Sequence, residues 1–221
     1  MKKIILAVAL SFSFYALSSE TFVKGAGSEF KMNSNGVSSK LNIYITESSF
    51  TRLGIEYHFA TSGLIQKQMW QQFILGLNSD GPLSMEAGYV KTPELSKPEK
   101  LTSEYLNVNK GVKLDQFFFS KKKELQKYFI GNENIEVPAG NLQAAHYRKK
   151  NNGQVVDFWI SEKVKPIGMV KLVSKNPKEM AQNYEIELVS LLRNVKATIN
   201  PKEARPLTEK GKSALAIPIK K

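Results

Sequence analysis

Residues 41–46 read LNIYIT and residues 53–60 read LGIEYHFA, and these two runs decide the fold class. In both runs every second residue is apolar, so one face of an extended chain would be apolar and the other mixed. A period of two is typical of a half-buried β-strand and does not fit a helix, whose apolar residues recur every three or four positions. The two runs therefore predict neighbouring strands.

The same alternation recurs along the rest of the chain, and turn residues separate the runs. Because the connections are short and no long helical pattern lies between them, consecutive strands are expected to pair antiparallel. The sequence predicts nine or ten strands with little helix, and the absence of a fixed repeat disfavours a propeller or solenoid. The further predicted strands lie at 69–77, 135–137, 142–150, 155–160, 169–173 and 184–192, and the turns at Asn35-Gly36, Ser62-Gly63, Asp80-Gly81-Pro82, Pro138-Ala139-Gly140 and Asn152-Gly153.

Two of these strands are apolar on both faces. Trp70 and Ile74 alternate with the apolar residues of 69–77, and Val155 and Trp159 alternate with those of 155–160. Such strands fit a sandwich, or a single curved antiparallel sheet with an apolar concave face. We interpret Trp70, Ile74, Val155 and Trp159 as a hypothetical ligand-binding apolar face, with plain core packing as the alternative.

The chain divides into three parts. Residues 1–18 have two lysines, an apolar run and the ending Ala16-Leu17-Ser18, which predicts a signal peptide cleaved near Ser18. Residues 19–200 form one β-rich domain whose halves are joined by a loop near 90–110, and 112–130 could be helix or strand. Residues 201–221 are expected to be a basic, partly flexible tail. No cysteine follows the apolar run, so a lipoprotein is excluded and a periplasmic location is expected.

The charge is basic but local. Of 221 residues, 32 are Lys or Arg and 20 are Asp or Glu, a formal net charge of +12. Residues 110–127 and 201–221 hold much of the excess, and almost all of it is Lys. Base reading favours the bidentate Arg fork, so we expect no nucleic-acid partner. Lys121, Lys122 and Lys123 are hypothetical contacts to anionic lipid headgroups, with a solvated surface as the alternative.

No catalytic, cofactor-binding or metal-binding residues are predicted. The chain has no cysteine and only two histidines, His58 and His146, which are expected to be hydrogen-bonded strand residues. The chain has no G-x-S-x-G elbow, and Gly25-Ala26-Gly27 is only half of a dinucleotide motif. Glu185 and Glu187 share a strand face, but solvated side chains explain them better. We expect no enzyme and no cofactor.

Residues 128–192 resemble certain uncharacterised exported bacterial families near the LolA/LolB-like lipoprotein-carrier superfamily. The resemblance rests on the motif G-x-E-x-x-x-V-P-A-G…W-x-S…G-x-V-K, which begins at Gly131 and includes Val137 to Gly140, Trp159 and Gly168. It implies an unclosed barrel with helices on its concave side and a cavity that holds lipid or acylated polypeptide.

Two functions are expected from these observations. The first is a non-enzymatic periplasmic binding or carrier protein for lipid or lipid-modified polypeptide, which also meets an anionic membrane surface. The alternative is a structural or protein-interaction module of the cell envelope, which uses a sheet edge or the basic C-terminal tail. A hydrolase would require a serine and a carboxylate beside His58 or His146.

Overall fold

The fold is known from a computed structural model, which describes residues 22–62, 67–77, 84–106, 125–151, 153–180 and 183–215. These residues form one sheet of twelve strands and little helix, so the predicted mainly β fold is confirmed. Within the described ranges, no helix is long and apolar enough to span a membrane. The predicted signal peptide (1–18), Lys121 to Lys123 and the undecided 112–124 lie outside the described residues.

The sheet consists of two antiparallel meanders. The first meander holds β1 (Gly27–Ser34), β2 (Val37–Ser48), β3 (Arg52–Thr61), β4 (Gln68–Gly76), β5 (Ser84–Lys91) and β6 (Glu99–Lys100). The second holds β7 (Phe129–Val137), β8 (Gly140–Asn151), β9 (Gln154–Ile160), β10 (Met169–Lys175) and β11 (Tyr184–Leu192). The short β12 (Arg205–Pro206) and helix α1 (Glu209–Leu215) complete the chain.

One strand pair joins the meanders. The strand order is β12-β6-β5-β4-β3-β2-β1-β11-β10-β9-β8-β7, and β1 pairs antiparallel with β11. The Ala139 amide in the β7–β8 turn donates a hydrogen bond to the Leu188 carbonyl of β11, at 3.2 Å, although β7 and β11 are four positions apart in the sheet, which shows that the second meander curves. The sheet is therefore curved but unclosed, as predicted.

The turns at 35–36 and 138–140 follow the predicted chemistry, whereas Gly63, Asp80-Gly81-Pro82 and Asn152 lie outside the described residues. Asn35 and Gly36 have φ angles of 49° and 76°, as the two central residues of a type I′ hairpin require. Val137 pairs with Gly140, so Pro138 and Ala139 form the two-residue turn of the β7–β8 hairpin. We call the end of the sheet with the 35–36 turn the upper end, and the end with the 138–139 turn the lower end.

Alternation gives the sheet two different faces. The inner face carries Phe30, Ile43, Ile55, Leu172 and Ile186, which belong to one buried cluster spanning both meanders. Their exposure is at most 2%. This cluster is the core of the domain, and the intervening residues form the outer face.

A buried carboxylate on β3 holds the C-terminal segment against the outer face. Glu56 is fully buried and accepts hydrogen bonds from the amides of Thr198 at 2.9 Å and Ile199 at 3.0 Å. The Tyr44 hydroxyl also donates to it. Burial, followed by the hydrogen bond and the charge of Glu56, raises the pKa of Tyr44, so the hydroxyl stays protonated and remains a donor.

A second buried carboxylate, Glu99, fixes the residues that follow. Its oxygens accept bonds from the Thr208 amide at 2.8 Å and from Arg205 Nε at 3.0 Å, and Arg205 also forms an ion pair with it. These contacts bind residues 201–215 to β6, and the basic, partly flexible tail expected over 201–221 stays a prediction. The final 216–221 lie outside the described residues.

Two expectations differ from the structure. The segment 27–34 was not predicted as a strand, yet it is β1 and lies in the middle of the sheet. The expected loop near 90–110 contains β6 and a short helical segment at 103–106. In both segments few apolar residues alternate, so pairing with neighbouring strands, which periodicity does not report, determines the conformation.

The close packing around Glu99 predicts a strong effect at Gly211. A Cβ added at Gly211 would lie 2.1 Å from Glu99 Oε2, whereas one at Gly131 would meet nothing within 4 Å. We expect Gly211→Ala to lower the free energy of unfolding by about 2 kcal/mol or more through overpacking. Gly131→Ala is the matched control and should change it little. Urea denaturation measures the free energy of unfolding of both variants. Equal stabilities would contradict close packing of Gly211 against Glu99.

Glu99 also predicts a pH dependence of stability. Burial alone would raise its pKa, but the bonds from Thr208 and Arg205 outweigh burial and hold the pKa below the ordinary 4.5. A lowered folded-state pKa contributes stability that is present above the unfolded pKa and is lost as the pH falls through the folded pKa. Melting temperatures from pH 7 down to pH 3 should therefore fall less steeply for Glu99→Gln than for the parent. Glu162→Gln, on an exposed loop, should retain the parent slope.

Candidate functional site

The 161–168 loop covers part of the inner face at its lower end. Ile45, Leu53 and Leu188 lie near that end and have no exposed surface. Val164 and Ile167 of the loop are each 1% exposed and belong to the same buried cluster. Close packing makes these core side chains inaccessible to a ligand, although Leu77, Met85, Ile135 and Leu142 at the same end are only partly buried.

Toward the upper end the same face becomes partly exposed. Phe59 lies opposite Leu41 on β2 and Met69 on β4, and Tyr184 lies opposite Ser174, whose other neighbour is Val156. The apolar side chains of this region are only half-buried, and they pack against the core or, for Met69, against the neighbouring cluster that contains Phe73. We call them the upper apolar surface: Tyr57, Phe59, Met69, Tyr128, Val156 and Tyr184.

Lysines border this surface on the side of the second meander. Lys127 Nζ lies 5.0 Å from the centroid of the Tyr128 ring, and Lys149 Nζ lies 5.8 Å from it. Lys149 also pairs across the sheet with Val156. Ammonium groups at these distances interact favourably with the ring electrons while remaining near water. The surface is thus apolar within and cationic at its rim.

Short helical pieces cover the inner face beside β4 and β5. Leu215 of α1 packs with Phe73, Val90 and Leu101, and Tyr105 from the 103–106 segment joins this cluster. Helical cover on the inner face is what the resemblance implies. It extends over only one side of the sheet among the residues described.

The four predicted face residues do not form one surface. Trp70 and Ile74 point to the outer face, where they pack with Ile199 of the C-terminal segment. Val155 and Trp159 are on β9, which five strands separate from β4. The inner-face positions on these two strands belong instead to their sequence neighbours, such as Met69 and Phe158. A ligand role for the four residues stays a prediction, as does a headgroup role for Lys121, Lys122 and Lys123.

His146 lies in a network of polar contacts on the outer face. Its Nε2 is 2.7 Å from Asp157 Oδ1, and its Nδ1 is 3.1 Å from Glu133 Oε1. The ring stacks on Trp159 with centroids 4.4 Å apart, and Arg148 shares Asp157 at 2.7 Å. Arg148 therefore helps to neutralise the carboxylate beside the imidazole, and the network ties β7, β8 and β9 together.

His58 has a different environment. Its ring stacks on Trp70, with centroids 4.5 Å apart and planes inclined by 2°. Burial, followed by the nearby charge of Lys40, lowers the pKa of His58, so the ring is neutral at pH 7. The described part of the chain contains no group of three or more His, Cys, Asp or Glu side chains placed to hold a metal ion.

Sequence reasoning missed the residues that define the upper apolar surface. Phe59 and Met69 were identified as strand residues, but their exposure depends on which end of the sheet is covered. Tyr128 was one of several apolar residues in the 112–130 segment, for which the sequence did not decide between helix and strand. The one available signal was the Lys127-Tyr128 pair beside a lysine-rich stretch.

No family model matches the sequence, and no curated protein matches it. Among solved structures, the chain is similar to Pseudomonas aeruginosa MucB in complex with MucA, at 11% identity and a TM-score of 0.40, over 83% of this chain and 58% of that one. A candidate lipoprotein from Parabacteroides distasonis matches at 11% identity and a TM-score of 0.37, over 82% and 98%. A candidate exported protein with a YmcC-like fold from Bacteroides fragilis matches at 10% identity and a TM-score of 0.38, over 82% of this chain and 99% of that one. The chain spans less than two thirds of the MucB chain. Membership of the LolA/LolB-like superfamily stays a prediction.

Proposed function

We propose that the protein is a non-enzymatic periplasmic binding protein that carries lipid or lipid-modified polypeptide on the inner face of its sheet. The carrying observation is the upper apolar surface, whose side chains, among them Phe59, Met69 and Val156, are only half-buried. Lys127 and Lys149 border this surface. An acyl chain would enter at the upper end and lie against its apolar side chains.

The chemistry of the surface suits such a ligand. The side chains supply apolar area without a nucleophile or metal, so binding comes from removal of apolar surface from water. Each buried methylene contributes about 0.8 kcal/mol and micromolar affinity corresponds to about 8 kcal/mol, so roughly ten buried methylenes of a long acyl chain would be needed. Lys127 and Lys149 at the rim would face an anionic headgroup, and we propose the same role for Lys121, Lys122 and Lys123.

A second candidate function rests on strand β7. This nine-residue strand pairs with β8 on one side only, within the described residues, and forms one edge of the sheet. Asn132 and Asn134 are exposed, and Ile130 is 57% exposed. An edge of this kind can add a strand from a partner protein. Residues 201–215 are less suited to that role, because Glu56 and Glu99 hold the C-terminal segment to the sheet.

Replacement of Phe59 should test the carrier. We expect Phe59→Asp to weaken binding of a fluorescent long-chain fatty acid at least about tenfold, because a charge would enter the apolar surface. Phe50→Asp is the matched control, since Phe50 is 89% exposed in the β2–β3 loop at the lower end. Fluorescence titration and lipid mass spectrometry of the purified mature protein provide the measurements. A parent protein that contains no lipid and takes up no fatty acid contradicts the proposal.

The edge function predicts a different result. Ile130→Lys places a charge on the β7 edge and should reduce capture of envelope proteins by cross-linking, while fatty-acid uptake stays at the parent level. The same substitution at Val23, which is 63% exposed away from β7, is the control. Equal capture by the parent and both variants would count against a role for this edge.

A further inference from the structure

We propose that the upper end of the sheet is a docking surface for an anionic lipid bilayer. The inference does not rest on the proposed carrier function, because a protein that holds no acyl chain can still bind a membrane surface. It rests on the distribution of charge between the two ends and on exposed aliphatic side chains at one of them.

Lysines dominate the upper end. Among the described residues, the loops and strand ends there carry eight: Lys67, Lys91, Lys97, Lys127, Lys149, Lys150, Lys175 and Lys178. Four of the described glutamates lie at the same level. Of these, Glu99 is buried against Arg205, and Glu185 is 2.6 Å from Lys171. Glu94 and Glu179 are the other two glutamates, so the positive charge of the eight lysines exceeds the negative charge at this end.

The lower end has a more balanced set of charges. Where the structure describes its loops and strand ends, they carry Lys24, Arg52, Lys163, Lys165, Arg193 and Lys196 against Glu47, Glu86, Glu136 and Glu162. Arg52 is bound by Glu86 at 2.9 Å. A negatively charged plane would therefore attract the upper end and orient the strands toward it.

Exposed aliphatic residues lie among these lysines. Val37 is 53% exposed beside the β1–β2 turn, and Met180 is 71% exposed in the β10–β11 loop. The two loops are neighbours, because Ser34 pairs with Val37 and its hydroxyl donates to the Asn183 carbonyl at 3.2 Å. The Asn183 amide in turn donates to the Met180 carbonyl at 2.9 Å. Apolar side chains in a basic surface suit the boundary between headgroups and acyl chains.

These features favour a bilayer over other polyanions. All eight cations are lysines, which act as point charges and suit a diffuse layer of headgroups, whereas bidentate recognition of phosphates in nucleic acid favours arginine. Contact with a charged nucleic-acid backbone would not remove the apolar surface of Val37 and Met180 from a polar environment. Tyr128 between Lys127 and Lys149 adds an amphipathic ring of the kind that prefers the membrane interface.

The test is co-sedimentation of the mature protein with vesicles of phosphatidylcholine, with or without phosphatidylglycerol. We expect binding only to the anionic vesicles, and release at high salt. Each lysine near the surface contributes roughly a fivefold factor, so Lys150→Glu, Lys175→Glu and Lys178→Glu together should reduce binding by about 100-fold or more. The matched control reverses Lys163, Arg193 and Lys196 to Glu, with the same change in net charge, and should retain most of the binding.

Further measurements separate the alternatives. Met180→Ser should weaken vesicle binding but leave binding to immobilised heparin unchanged. This single substitution tests the docking surface even if the triple variant does not fold. Fatty-acid uptake should survive the lysine reversals, so failure of the carrier function and failure of docking are distinguishable. Binding to heparin but not to anionic vesicles would overturn the proposal in favour of another polyanion. Equal losses in the two charge-reversal variants would overturn it as well.

Discussion

The pairing of β1 with β11 is the constraint on which the rest of the structure depends. Each meander alone would expose one apolar face and two edges. When β1 joins them, Phe30 and Met32 lie beside Leu188 and Ile186, and the inner faces become one continuous surface. Gly27 permits the close approach of β1 to β2, because a Cβ there would lie 2.4 Å from the Ile43 carbonyl oxygen. The Ser28 hydroxyl donates to the Lys165 carbonyl and attaches the 161–168 loop to β1 at the lower end.

The two buried carboxylates determine which surfaces remain available. Glu56 and Glu99 would be costly to bury alone, and the Thr198, Ile199 and Thr208 amides satisfy them, together with Arg205. The result covers the outer face of the first meander and places α1 over β4 and β5. Apolar surface that is only half-buried then remains on the inner face near the upper end. The residues that bind Glu56 and Glu99 thus determine which part of the inner face stays half-buried, although neither glutamate is part of that surface.

The sequence determined the strands better than it determined the site. Alternation identified β2, β3, β8 and β9, and the Asn35-Gly36 turn fixed a hairpin, because both signals are local. Assignment of the two faces requires knowledge of what covers them. Trp70 and Ile74 looked suited to bind a ligand, yet Ile199, more than a hundred residues away in the chain, packs on them. Glu56 and Glu99 look like ordinary solvated residues for the same reason, since their partners lie between Thr198 and Thr208.

The upper apolar surface and the excess of lysines lie at the same end of the strands. An acyl chain is insoluble in water, so a protein that exchanges one with a bilayer benefits when its apolar surface opens where the bilayer is contacted. Here the half-buried Phe59, Met69 and Val156 lie at the end where the described loops and strand ends carry eight lysines, whereas those of the lower end carry six cations and four glutamates. If the entrance lay at the lower end, docking through the lysines would direct it away from the membrane. The two proposals are therefore independent in their tests but geometrically compatible, and the shared upper end would let ligand transfer and membrane contact occur together.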